Sequence, residues 1–352
     1  MNHVIKSSLL EKSWFEPAIF GTLRMYDEGK DLISSPLANF QRNYKTWGGI
    51  HQSLIGKDIE AGIKDRLNDF VSLYESIKVE GYKNIAPFLV WFDDDGFIHL
   101  YDGHHRLSII RYLGIDPEVG ITTDWDSAGI DPTGIKGRDF PLAETASSIW
   151  GYNRLYHYVN DPLKRLGGFS IQRPDSTERR DYILKNLVGK KVCDIGCSEG
   201  FLSCEIAKDG YEVIGVEKGY IPSEEERGRK LTAIARYLAV LQSVKAKFIL
   251  SDWKDIIRQQ DVFYDNILYL SVLHNEMNAL GYDKAMENLK LFRGKCKRLF
   301  VEIPDISVQP DWAYAFILSA FIPKLERNTG MEVKEVWEGY RPIILLENKL
   351  LL

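Results

Sequence analysis

Cysteine is scarce in this chain. Cys193, Cys197, Cys204 and Cys296 are the only four in 352 residues. No two form a C-x-x-C pair, and three fall within one strand-loop-helix unit, so buried thiols in a reducing compartment are the expected state. Long apolar runs are missing as well. None approaches the length of a membrane span, and the opening "MNHVIKSSLLEKSWFEPAIF" has no apolar core flanked by a small-residue cleavage site. The expectation is a soluble, cytoplasmic protein. Excess positive charge is absent too: a formal net charge of −5 argues against a protein whose main task is wrapping nucleic acid. There is no internal repeat and no low-complexity tract. What is present is 45% hydrophobic and 12% aromatic content, enough to bury a large core in two domains and too much for intrinsic disorder.

Two patterned regions flank a stretch of different character. From about Ile59 to Gly114 the pattern reads helix, strand, turn, strand, helix. "IEAGIKDRLNDFVSLYESIK" spaces apolar residues at helical intervals, and Asp93-Asp94-Asp95-Gly96 turns the strand "FLVWF" back into "FIHLY". Residues 126–175 carry many Gly, Pro, Asp and Thr with weak periodicity and read as a connecting, substrate-facing region. From Arg179 the pattern alternates: helix 179–187, strand 191–195, helix 200–208, strand 212–216, helix 224–243, strand 246–250, strand 265–270, helix 282–293 and strand 297–303. Such alternation predicts an α/β fold with a mostly parallel sheet. The C-terminal stretch adds a helix and final antiparallel strands, with Trp312, Tyr314 and Trp337 as core or as an acceptor platform.

The most informative break is "VCDIGCSEGF". Gly196 and Gly200 allow close backbone approach where a strand turns into a helix, and the helix start offers N–H groups to a nucleotide-like ligand. A dinucleotide fingerprint needs a middle glycine to admit pyrophosphate. Cys197 and Ser198 fill that space, and Glu199 would repel phosphate, so a ligand without phosphates is favoured. Glu217 ends the next strand, where a carboxylate can accept hydrogen bonds from both ribose hydroxyls of an adenosine. Asp252 ends the third strand and can meet the adenine amino group, with Trp253 beside the base. Asp194 and Glu199 also have plain readings, as a loop-bracing carboxylate and as a solvated charge in a first helical turn.

These four ordered elements resemble class I S-adenosylmethionine-dependent methyltransferases over residues 180 to about 305. "VCDIGCSEG" matches the first motif, Glu217 the ribose-binding acid, Asp252 the adenine-side acid and "YDNILYLSVLHN" the fourth-strand motif. The resemblance implies a Rossmann-like domain over 176–352 that binds S-adenosyl-L-methionine through Asp194, Gly196, Cys197, Ser198, Gly200, Glu217, Lys218, Asp252, Trp253 and Ser271. Asp194 and Glu199 would stabilise its sulfonium cation. Methylation of a hydroxyl needs a base in line with the acceptor. His274, expected at the end of the fourth strand, is the first candidate, with a packing histidine as the alternative; Glu302 is the second. Arg173 is a candidate for an anionic substrate group or for the donor's carboxylate, with a surface salt bridge as the plain reading. An Asn-Pro-Pro-Tyr motif is absent, which lowers the expectation of DNA or protein-amide methylation. "DIGCSEGFLS" with the upstream "QRPDSTERRDYI" resembles methyltransferases acting on glycans and other polar hydroxyl or phosphate acceptors.

In the first region, Asp102-Gly103-His104-His105-Arg106 turns straight from a strand into a helix. The pattern of glycine, imidazoles and guanidinium at a helix start favours an anion. Residues 60 to 115 resemble the ParB/sulfiredoxin fold, a smaller α+β domain, which implies a phosphate or nucleotide site over residues 1–125 that takes ATP or another nucleotide with Mg²⁺. The alternative is a domain that only stabilises the enzyme. No protein-bound metal is expected, because adjacent histidines supply too few ligands for zinc. The sulfiredoxin cysteine is missing, which sets sulfinic acid repair aside, and no helix-turn-helix follows the loop.

The whole then reads as a bifunctional enzyme: an O-methyltransferase for a small-molecule or glycan acceptor, with a nucleotide-binding first domain that acts as a kinase. Two alternatives stay open. One is a nucleic-acid-associated methyltransferase docked by its ParB-like part, with "ERGRKLTAIARYL" supplying phosphate contacts. The other is a sensor of the methyl donor without chemistry.

Overall fold

A computed structural model describes residues 2–13, 16–43, 58–124, 139–151, 153–218, 225–304 and 317–351. The chain divides into two units, one formed by Met1–Asp93 and Ile98–Asp139, the other by Asp94–Phe97 and Phe140–Leu352.

The first unit runs β1 (Asn2–Lys6), α1 (Glu16–Asp27), α2 (Pro36–Asn43), α3 (Ile59–Glu80), β2 (Phe88–Phe92), β3 (Ile98–Asp102), α4 (His104–Tyr112) and β4 (Glu118–Thr122). The strands form one sheet in the order β1-β4-β2-β3, with β2 and β4 parallel and the outer pairs antiparallel. α3 follows from its spacing. Ile63, Leu67, Phe70, Tyr74 and Ile77 recur at helical intervals and are all buried, and they pack with Ile19, Leu23, Leu37 and Ile109 of the other helices. Each such side chain contributes about 1.5–3 kcal/mol through burial.

In the second unit come α5 (Leu142–Trp150), β5 (Arg154–Leu155), β6 (Ser170–Ile171), α6 (Ser176–Asn186), β7 (Lys191–Ile195), α7 (Phe201–Lys208), β8 (Glu212–Glu217), α8 (Glu225–Leu241), β9 (Ala246–Leu250) and α9 (Trp253–Ile257). β10 (Tyr264–Leu270), α10 (Leu273–Leu280), α11 (Tyr282–Asn288), β11 (Cys296–Glu302), α12 (Leu318–Thr329), β12 (Glu332–Trp337) and β13 (Ile343–Glu347) complete it. Seven strands form one sheet in the order β12-β13-β11-β10-β7-β8-β9. β7 to β11 are mutually parallel, while β13 runs antiparallel to both β11 and β12. Ile267, Leu268 and Tyr269 of β10 are fully buried, as expected of a central parallel strand covered on both faces. Strand order reverses between β7 and β10, and a crevice opens beyond the carboxyl ends of strands at such a reversal.

Several local readings need correction. The stretch 139–175 contains the helix α5 and the short parallel pair β5–β6, where weak periodicity suggested a connecting, substrate-facing region without regular elements. The helix expected over 282–293 stops at Asn288 and tightens into a 3-10 turn over Leu289–Phe292. His274 does not end a strand: β10 stops at Leu270, and His274 lies in the first turn of α10. Trp312 and Tyr314 lie outside the described residues. Trp337 on β12 stacks on Tyr182, with ring centres 5.5 Å apart, a packing role.

Candidate active site

The turn from β7 into α7 rides over the carboxyl edge of the sheet. Gly196 N–H donates to the Val216 carbonyl at 2.8 Å, tying the turn to β8. Ser198 adopts φ +52°, a left-handed conformation that costs a non-glycine residue about 1–2 kcal/mol. Its N–H then meets Glu217 Oε2 at 2.8 Å, while Lys218 N–H donates to Oε1 at 3.0 Å. Gly200 begins α7 with φ +79°, and a Cβ there would lie 2.7 Å from the Ala235 Cβ and 2.9 Å from the Phe248 ring. A Cβ on Gly196 would similarly lie 2.6 Å from the Val272 side chain. At both positions the missing side chain makes room for neighbouring side chains of the protein.

Two cavities adjoin at this edge. The larger, about 340 Å³, has Asp194, Gly196, Cys197, Ser198, Glu217, Lys218, Ser271 and His274 on its wall. The smaller, about 140 Å³, is lined by Gly196, Glu217 and Lys218 again, together with Asp252 and Trp253. Nine of the ten expected donor-binding residues therefore come together, and Gly200 is the exception, since it is not among the described residues lining either cavity.

Their environments differ. Burial pushes the Glu217 carboxyl up to about 7 despite the two backbone N–H groups, and pushes Asp194 up to about 6 despite the 2.6 Å hydrogen bond donated by Ser203. Burial also acts to raise Asp252, but hydrogen bonds from Lys218 Nζ at 2.9 Å and the Lys254 amide outweigh it and hold the carboxyl below its ordinary range. Trp253 is fixed by a 3.1 Å hydrogen bond from its indole N–H to Glu276 and by stacking on Phe292. Cys197 is a packing thiol, kept protonated by burial and set among Cys204, Ala235 and Phe248.

Glu199 is fully buried, which overturns the solvated reading. It accepts from the Tyr156 N–H at 2.9 Å and the Ser198 hydroxyl at 2.7 Å, so it joins the β5 segment to the turn.

Behind the larger cavity lies a dense ionic cluster. Glu302 accepts from Arg173 Nη1 at 2.8 Å, from Arg179 Nη1 at 2.7 Å and from the Ser271 hydroxyl. Burial alone would raise its carboxyl, yet the Arg179 and Arg173 guanidiniums hold it far below the usual range. Such a carboxylate has no basicity to offer, and Glu302 is not among the described residues that line either cavity. Arg173 is likewise committed: it is 1% exposed and spends its donors on Asp175, Glu302 and Ser271. It therefore shapes the site and does not reach a substrate, and the surface salt-bridge reading falls as well. His274 does line the larger cavity, but its imidazole is pushed down to about 4, by burial first and the nearby Arg341 next. It is neutral at neutral pH and a weak base.

Sequence reasoning missed Arg341, Arg179, Arg227, Tyr156 and His157, all on the wall of the larger cavity. Arg179 stands within "QRPDSTERRDYI", but no local pattern distinguishes it from Arg180, whose guanidinium pairs with Asp181 and Glu205. Arg341 follows β12 and reaches the site only through the order of the sheet.

The turn at Asp102–Arg106 in the first unit is arranged differently. Gly103 caps α4 with φ +104°, where a Cβ would lie 2.4 Å from the Phe88 ring. Arg106 is folded back onto the Ala86 and Pro87 carbonyls, with its guanidinium 4.5 Å from the Phe88 ring centre. His105 packs against Phe70, ring centres 5.5 Å apart, and burial lowers the His104 imidazole. The expected convergence of Arg106 and both histidines on one anion is not seen. Among the described residues no His, Cys, Asp and Glu group is arranged to hold a metal ion, and no helix is long and apolar enough to cross a membrane.

No known protein-family profile matches the chain. In sequence it is similar to the ubiquinone biosynthesis O-methyltransferase of Vibrio vulnificus strain YJ016, 32% identical over 106 residues, covering 29% of this chain and 41% of that protein. The corresponding enzyme of Vibrio parahaemolyticus is 31% identical over 158 residues, covering 43% of this chain and 55% of that protein. The chain thus spans about half the length of the curated relatives it matches. Among solved structures it is similar to the bifunctional kinase-methyltransferase WbdD, with a TM-score of 0.46 and 18% identity over 59% of this chain and 46% of that one. Magnesium protoporphyrin IX methyltransferase from Synechocystis PCC 6803 with bound S-adenosylhomocysteine gives 0.37 and 18%, over 49% of this chain and 83% of that one.

Proposed function

We propose that the second unit is an S-adenosylmethionine-dependent methyltransferase that transfers a methyl group to an oxygen of a small polar acceptor. One observation carries the reading: two adjoining cavities share Gly196, Glu217 and Lys218, with Asp252 and Trp253 beyond them on one side and Ser271 and His274 on the other. An adenosyl compound fits that division. Each Glu217 oxygen accepts one backbone N–H and retains a lone pair for a ribose hydroxyl. The adenine would lie in the smaller cavity beside Trp253, where the Asp252 carboxylate can accept from its amino group. The sulfur end would lie in the larger cavity, near Asp194 and Glu217. Both carboxyls are raised by burial in the ligand-free protein, and a cation placed beside them favours their ionised forms. When bound, the donor supplies an electrophilic methyl group on a sulfonium centre.

The similarity to O-methyltransferases over part of the chain supports an oxygen acceptor. Titration calorimetry with S-adenosylhomocysteine at neutral pH is the test. One site per chain is expected, and absence of binding by both the donor and its product on folded protein would overturn the reading.

For the first unit, a phosphate or nucleotide site at Asp102–Arg106, taking ATP with Mg²⁺, rests on the glycine-opened start of α4 and on His104 beside it. Arg106 would have to leave its carbonyl partners to take part.

A further inference from the structure

Among the described residues the wall of the larger cavity carries four cationic side chains, Arg179, Arg227, Arg341 and Lys218, against two carboxyls, Asp194 and Glu217. Lys218 follows Glu217 and pairs with Asp252 at 2.9 Å. The carboxyls stand at the ends of β7 and β8, where the cationic donor is read to lie, whereas the arginines come from α6, α8 and the segment between β12 and β13. Arg341 is held in place by hydrogen bonds to the Tyr156 hydroxyl at 3.2 Å and the Ser271 hydroxyl at 3.0 Å. Arg179 Nη2 lies 3.0 Å from His157 Nε2, and the Arg227 guanidinium sits 4.3 Å from the Trp150 ring centre. Glu302, the carboxylate behind this wall, is shared between Arg173 and Arg179 and also lies 3.8 Å from Arg341 Nη1.

A neutral hydroxyl acceptor would need a base here, and among the described residues lining the cavity the titratable groups outside the donor end and the arginines are His157, His274 and Tyr156. His157 Nε2 faces the Arg179 guanidinium, and Asp194 and Glu217 belong to the donor end. His274 is buried, with Arg341 and Arg173 raising the local potential and Glu302 only partly offsetting them.

Resting on the methyltransferase reading, we infer that the acceptor atom is an oxyanion, a carboxylate or phosphate oxygen, seated against Arg341 and Arg227 beside the Trp150–Tyr156 stack. A lone pair on the anionic oxygen forms the new O–C bond to the methyl carbon. The C–S bond breaks and its electron pair stays on sulfur. A cation and an anion become a neutral thioether and a methyl ester with one fewer negative charge, and no proton leaves the acceptor. The arginines raise the local concentration of the anion and fix its orientation. The Trp150 and Tyr156 rings, stacked with centres 5.5 Å apart, give it an apolar wall.

The test uses the full chain saturated with S-adenosylhomocysteine and four small probes: phenyl phosphate, benzoate, phenol and benzyl alcohol. At least one anion is expected to bind, and the neutral pair at least about tenfold more weakly. The preference between phenyl phosphate and benzoate identifies the source of the oxyanion. Arg341→Gln is expected to weaken the anion by about tenfold or more and the thioether product by less than about threefold, with Arg341→Lys recovering part of the loss. Equal binding of phenol and the anions overturns the inference while leaving the donor reading intact. So does Arg341→Gln weakening S-adenosylhomocysteine but not 5′-methylthioadenosine, because Arg341 would then read the donor's own carboxylate. If wild-type protein binds no S-adenosylhomocysteine, the donor reading fails and takes the oxyanion step with it.

Discussion

The protein contains two turns built to one local plan: a strand, a glycine in the left-handed region and the first turn of a helix. Gly103 opens α4 at φ +104° and Gly200 opens α7 at φ +79°. In both places a Cβ would strike an aromatic ring, Phe88 in one and Phe248 in the other. Their surroundings separate them. Among the described residues β3 is an edge strand paired with β2 alone, whereas β7 lies between β8 and β10 at the point where strand order reverses. The second turn therefore meets Glu217 from one neighbour and Ser271 from the other, and two cavities open there. Beside the first turn, Arg106 closes onto backbone carbonyls. A glycine at a helix start is local geometry; a ligand site needs several strand ends converging on it.

The sharpest way to break this contrast is to remove a converging group and leave the turn intact. Glu217→Ala deletes the acceptor proposed for both ribose hydroxyls, together with that of the Ser198 and Lys218 N–H groups. With charge-assisted hydrogen bonds worth about 1.5–3 kcal/mol each, affinity for S-adenosylhomocysteine should fall by about 100-fold or more in calorimetry. Unchanged affinity would mean that the β8 end does not contribute and that the turn alone makes the site.

Much of this was legible in the sequence, and the limits are physical. The strand-helix alternation after Arg179 and the acids at strand ends depend on period and spacing, which are local properties, so Asp194, Glu217 and Asp252 could be placed together before any coordinates. The ionic cluster could not. Arg173 and Glu302 read as separate candidates, yet they bond each other across 129 residues. Burial was equally invisible: Glu199 reads as a solvated first-turn charge, yet it is fully buried and accepts from the Tyr156 N–H. His274 was misplaced because an apolar run does not reveal where β10 ends and α10 begins.

A gentler perturbation separates the two turns by pH. With the Glu217 carboxyl pushed up to about 7, the ligand-free folded protein holds a proton that the unfolded chain, with an ordinary glutamate, releases from about pH 4.5. The folded state binds more protons across that interval, so this residue's contribution to stability declines as pH rises from about 4.5 to about 7. The adenosyl ligand needs the ionised acceptor, so its affinity should move the other way. An increase of about tenfold from pH 6 to pH 8, levelling above about 7, is expected, with proton release on binding detectable in buffers of different ionisation enthalpy. Glu217→Gln should flatten this profile. A wild-type affinity that does not vary over the same range would show that this carboxyl is not the group that meets the ribose.

The smallest effect tests the first turn itself. Arg106→Ala removes hydrogen bonds to the Ala86 and Pro87 carbonyls and the cation over Phe88, all partners within the first unit. If Arg106 is a brace, the loss is about 1–2 kcal/mol of stability in urea unfolding, with S-adenosylhomocysteine affinity unchanged. If instead Arg106 swings out to grip a phosphate, wild-type protein should bind ATP with Mg²⁺ and the variant should lose that binding by tenfold or more, about 1.4 kcal/mol. The two roles compete for the same donors, because a guanidinium cannot bond the Ala86 carbonyl and a phosphate oxygen through one N–H. Nucleotide binding that depends on Arg106 would therefore also free the carbonyls, and hydrogen exchange at the start of β2 should rise when nucleotide is added. Without that rise, the turn is a structural corner of the first unit, and ligand chemistry belongs to the place where the strand ends converge.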